Sequence, residues 1–283
     1  MKQDINPKYR KFIDLLDFSN GKYDIKEVFN DFVIIYAIAI KNKFYYEQED
    51  EDIYFSTIKK YEKDELDIFP ELIVELQEIY MKEREIRDVL GEIYFQIGSI
   101  KKGNKQFFSP KSIGIINSIL VQVYMVKEEK DFNTIYDPTC GSGTLLLYSA
   151  KTLIDNNIDY TKKAFYWGQD NDFVCFCMAY IQMSVYGMPA LVILGDTISL
   201  QEKKVYYTPE FFIGGWKKKL EERRKNNNIK DKERFDKNGW YKRIYRRFKT
   251  KYKWYNKEWF TRNCYGSLQR NWWRWRKAIT RNW

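Results

Sequence analysis

The sequence predicts an α/β domain on a parallel sheet, preceded by a helical region. Three observations predict it. Residues 133–147 read as a short strand, a glycine turn and a helix. Two more strands, over 163–170 and 190–197, alternate with helices, as successive βαβ units do. Residues 1–100 instead carry apolar side chains at helical spacing, with charges in the gaps.

In the first hundred residues, Tyr9, Phe12, Ile13, Leu15 and Leu16 share a helical face. So do Val28, Phe32, Ile35 and Ala39, and later Leu72, Val74, Leu76 and Ile79. Ser19-Asn20-Gly21, the acidic run 47–52 and Pro70 interrupt them. This region reads as a small helical bundle that caps the following domain. Asn6 before Pro7 is a helix start. The longest apolar run, 32–40, falls well short of the ~20 residues that span a bilayer, so no membrane segment is expected.

A Gly/Asn loop leads into Gln106, Phe107, Phe108, Ser109 and Pro110. Ser109 can cap the next helix, with Pro110 at its first position and Ile113, Ile116, Ile119, Leu120 and Val123 as its buried stripe. Thr134, Ile135 and Tyr136 then suit a buried strand. Asp137-Pro138 stops it, because proline cannot continue the ladder. Gly141 and Gly143, either side of Ser142, let the backbone turn tightly against a ligand. Leu145–Leu147 open a helix whose free N–H groups face the turn.

The second strand ends in Asp170, where a carboxylate can accept from both hydroxyls of a ribose. The helix over 171–186 turns Val174, Met178, Ile181 and Val185 inward, and Gly187 stops it. The third strand ends in Asp196. Strand, glycine turn and acidic strand ends together make a Rossmann-like cradle.

Composition narrows the chemistry. The chain has 283 residues and no histidine, which removes serine–histidine hydrolysis and most zinc sites. Its four cysteines are too few and too irregular for a disulfide framework, so a reducing cytoplasm is expected. Cys175 and Cys177 read as core packing, and no metal site is expected. The net charge of +10 is unevenly spread: residues 217–283 hold 24 Lys and Arg against 6 Asp and Glu, with seven of the nine tryptophans. Positive charge with interleaved aromatics suits single-stranded nucleic acid. The alternative is a reading-frame slip in an AT-rich gene from about residue 238, and both readings stay open.

The string Asp137-Pro138-Thr139-Cys140-Gly141-Ser142-Gly143 resembles the S-adenosylmethionine-binding motif of adenine-N6 DNA methyltransferases. The likeness is to the modification (M) subunits of type I restriction systems, in a short phage-type form. Gln106-Phe-Phe-Ser-Pro110, Gly168-Gln169-Asp170 and Gly195-Asp196-Thr197 resemble that family's other motifs, in order. The resemblance implies an S-adenosylmethionine-dependent methyltransferase domain over 101–216, between a helical region over 1–100 and a basic tail over 217–283. It implies that Gln106–Pro110 cover the cofactor, that Asp137, Pro138, Gly141, Ser142 and Gly143 form its turn, that Asp170 holds ribose and that Asp196 reads the adenine. DNA is the implied substrate, with a specificity or restriction subunit as the implied partner.

Adenine N6 is a poor nucleophile, and the family meets it with an Asn-Pro-Pro-aromatic loop that is absent from this sequence. Thr208, Pro209 and Phe211 are the nearest candidates, in a stretch that also reads as a loop packing its aromatics on the core. Only three or four of the usual seven strands are legible, so the domain reads as incomplete. An inactive, cofactor-binding relative is the alternative function.

Overall fold

The computed structural model describes residues 5–100 and 131–227. Asn6 accepts a hydrogen bond from Lys8 N at 3.1 Å and opens a 3-10 turn over Pro7–Tyr9, as its position before proline predicts. Five helices follow: α1 (Arg10–Leu16), α2 (Ile25–Asn42), α3 (Gln48–Ile58), α4 (Ile68–Lys82) and α5 (Val89–Ile100). Asp24 caps α2 by accepting from Lys26 N at 2.8 Å. The buried residues of α2 include Val28, Phe29, Phe32, Val33, Ile35 and Ile38, which run most of the way round the helix. Each such side chain contributes roughly 1.5–3 kcal/mol when fully buried. This explains the long apolar run: α2 is enclosed by α3, by α5 and by a helix of the α/β region.

That region runs β1 (Asn133–Asp137), α6 (Thr144–Asp155), α7 (Tyr160–Lys163), β2 (Ala164–Asp170), α8 (Phe173–Val185), β3 (Ala190–Asp196), β4 (Gln201–Tyr207) and α9 (Pro209–Ile213). The sheet order is β1-β2-β3-β4. The first three strands are parallel and β4 is antiparallel to β3. The α/β class follows from this alternation of parallel strands with helices. α8 packs on α2 as well as on β2 and β3, so the helical region and the sheet share a core. The described residues up to 214 form one compact unit.

Gly187, at φ +63°, ends α8, with Met188 N donating to Met183 O at 2.9 Å. Gly195 answers a different need. The β3–β4 register shifts between Leu194 and Gly195, and a Cβ at 195 would lie 2.2 Å from Gln201 O.

A second unit begins at residue 215, and α10 (Trp216–Asn227) is its described element. There the Lys219 ammonium lies 4.4 Å from the centroid of the Trp216 ring, within cation–π range. Residues 228–283 of the basic tail lie outside the described residues. No described helix is long and apolar enough to cross a membrane.

Candidate functional site

Parallel strands end at one edge of their sheet, and here each of three ends in an aspartate: Asp137 on β1, Asp170 on β2 and Asp196 on β3. The turn after β1 is tied to that edge. Asp137 Oδ1 accepts from Thr139 N at 3.1 Å, the local bond that aspartate makes in turns. Cys140 N donates to Gln169 O and Gly141 N donates to Asp170 Oδ2, both at 2.8 Å. Gly141 and Gly143 take φ of +54° and +97°, the left-handed region that favours glycine. Gly168 lets the turn sit close on β2, because a Cβ there would meet Cys140 Sγ at 3.0 Å and Leu146 Cδ1 at 3.3 Å.

Asp170 Oδ1 accepts from Asp172 N at 2.9 Å, and Asp172 in turn caps α8 through Cys175 N at 2.8 Å. Each Asp170 oxygen keeps a second lone pair for a ligand. Asp196 accepts from Ile198 N at 2.8 Å and Ser199 Oγ at 2.9 Å, bonds that hold its carboxyl below the ordinary 3.8. Thr197 Oγ1 donates to Pro138 O at 2.5 Å and joins the end of β3 to the turn.

Asp137 is buried, and its Oδ2 has no hydrogen-bond partner among the described residues. Burial pushes its carboxyl above 3.8; the Thr139 N–H opposes this and the Asp170 charge adds to it. A buried acceptor without a donor is costly unless a ligand supplies one.

Asp137, Pro138, Gly141, Gly143, Asp170 and Asp196 thus gather at one edge. Ser142 belongs to the turn, but its side chain is fully buried and its hydroxyl donates to Asp88 at 2.5 Å. Gln106, Phe107, Phe108, Ser109 and Pro110 lie outside the described residues. Thr208 sits at the other end of β3, about 20 Å away along a seven-residue strand. Its hydroxyl donates to Met188 O at 2.7 Å and accepts from Ala190 N at 2.9 Å, and the residue is fully buried. Pro209 opens α9, and the Phe211 ring packs on Tyr207 at 4.7 Å. These three close the sheet and do not converge with the aspartates.

The sequence motif includes Thr197 without giving its side chain a role, and no pattern singles out Asp88, Thr144 or Gln182, yet all four hold the turn through side chains. The one signal for Asp88 is an acid before the amino end of a helix with glycine three residues on, which can be read as a cap.

The family model described as N-6 DNA Methylase matches residues 85–253. The chain is 29% identical over 133 residues to the type I restriction enzyme MjaIX methylase subunit of Methanocaldococcus jannaschii. That match covers 44% of this chain and 22% of the relative, so the chain spans about a fifth of that protein's length. A solved structure from Listeria monocytogenes, provisionally assigned to the class I S-adenosylmethionine-dependent methyltransferases, aligns with a TM-score of 0.38 and 15% identity, over 69% of this chain and 55% of that one.

Proposed function

As the chain belongs to the N-6 DNA methylase family, we propose that it binds S-adenosylmethionine at the three aspartates and directs its methyl group to adenine N6 in DNA. The observation that carries this reading is the gathering of Asp137, Asp170 and Asp196 around a left-handed glycine turn, with Asp137 Oδ2 buried and unpartnered among the described residues. The ligand's donor groups match acceptor-only carboxylates: an ammonium, two ribose hydroxyls and an adenine amino group. Asp137 takes the ammonium, Asp170 the ribose and Asp196 the adenine amino group. Gly141 and Gly143 allow the backbone to approach without a Cβ. When bound, the cofactor supplies an electrophilic methyl on a sulfonium.

The relative is named as a methylase subunit of a type I restriction enzyme, which supports a cytoplasmic role beside a specificity or restriction subunit. The test is transfer of labelled methyl to unmethylated DNA, with and without co-encoded partner chains, read as N6-methyladenine. Transfer supports the assignment. Cofactor binding without transfer in either arm favours the inactive relative.

Ionisation of Asp137 gives the reading a pH signature. A carboxylate that holds an ammonium does so fully above its folded pKa and loses the contact as pH falls through it. Burial raises that value above 3.8, so cofactor affinity declines at a higher pH than an ordinary aspartate allows. Asp137→Asn weakens binding and removes this acid limb. Calorimetric titrations from neutral pH down through the carboxylate range check both.

A further inference from the structure

We propose that Asp88, from the helical region, is a positioning residue that sets the shape of the cofactor turn. The proposal rests on the cofactor reading above and adds a determinant of affinity outside the α/β elements. Asp88 is 8% exposed and immediately precedes α5. One oxygen accepts from Gly91 N and Gln182 Nε2, each at 2.8 Å. The other accepts from Ser142 Oγ at 2.5 Å and from Thr144 Oγ1. Those hydroxyls flank Gly143, the residue at φ +97° on which the turn into α6 depends.

Gln182 completes the arrangement. Its amide also donates to Ser142 O at 2.8 Å, and its oxygen accepts from Leu90 N at 3.1 Å and Tyr80 OH at 3.2 Å. Ser142 is therefore held at both its hydroxyl and its carbonyl. Asp170 fixes the neighbouring Gly141 N from β2, so the turn is held by two aspartates from two parts of the fold. Gly91 keeps Asp88 in place: a Cβ there would lie 2.4 and 2.5 Å from its two carboxylate oxygens. Fixed, fully bonded supports of this kind set the geometry of the groups that touch a ligand.

The test uses the full chain and S-adenosylmethionine itself. Calorimetry on wild type, Asp88→Ala, Gly91→Ala and Thr144→Val is paired with thermal melts, with Tyr61→Phe, which loses a 2.8 Å bond to Asp31 outside this network, as the control. Asp88→Ala and Gly91→Ala are expected to raise Kd about tenfold or more at temperatures where both are folded. Thr144→Val, which leaves Asp88 three donors, raises it by a smaller factor, and Tyr61→Phe leaves it unchanged. In methyl transfer, KM for the cofactor rises while kcat changes little. If Asp88→Ala does not fold, the milder Thr144→Val decides. Variants that melt earlier but bind like wild type overturn the proposal and leave the cofactor reading standing. A wild type that binds no cofactor overturns both.

Discussion

Asp50→Ala is expected to destabilise the protein by about 3–5 kcal/mol, the usual cost of stranding buried charges. Asp50 lies in the first turn of α3 and is fully buried. It bonds Lys41 of α2, also fully buried, and Lys204 of β4 at 2.5 Å. The alanine leaves two ammonium groups in the interior without their shared carboxylate. For a unit of this size the loss corresponds to a fall in Tm on the order of 10 °C, measurable by circular dichroism. Asp52→Ala, at an exposed position of the same helix, is the control and shifts little.

The same triad has a pH dependence of definite sign. Burial pushes the Asp50 carboxyl up, but bonds from Lys204 and Lys41 outweigh it and hold the carboxyl below the ordinary 3.8. Its contribution is therefore present above the unfolded value and lost as pH falls through the lower, folded one. Acid unfolding of wild type will show this loss, and Asp50→Ala will not.

Asp170→Ala is expected to weaken S-adenosylmethionine binding by about 100-fold or more. Two hydrogen bonds to a charged acceptor, at about 1.5–3 kcal/mol each, account for that range. The variant also releases Gly141 N, now held at 2.8 Å, so part of the loss comes from a looser turn. Asp170→Asn keeps one acceptor oxygen and falls between wild type and alanine. Calorimetry measures both, and melts confirm that each variant is folded.

Much of this site is legible from local spacing, because strand ends and glycine turns are local events. Asp137, Gly141, Gly143, Asp170 and Asp196 each follow from a short pattern, and each sits at the same sheet edge. The antiparallel strand β4 is not legible in that way. Lys204 stands at one of its inward positions, and a lysine there reads as solvent-facing. Its buried partner Asp50, 154 residues earlier in the chain, makes its burial intelligible. The hydroxyls of Ser142 and Thr208 are illegible for a related reason: Asp88 accepts from one, and the other donates to Met188 O and accepts from Ala190 N. Partners distant in sequence, which no periodicity encodes, decide what these side chains are free to do.

The most direct test of the cofactor site is calorimetric titration of S-adenosylmethionine into the full chain at neutral pH, with Asp170→Ala in parallel. The site described predicts saturable one-to-one binding by wild type and its near-complete loss in the variant, with the fold intact by circular dichroism. No binding by folded wild type, or equal binding by Asp170→Ala, would contradict it.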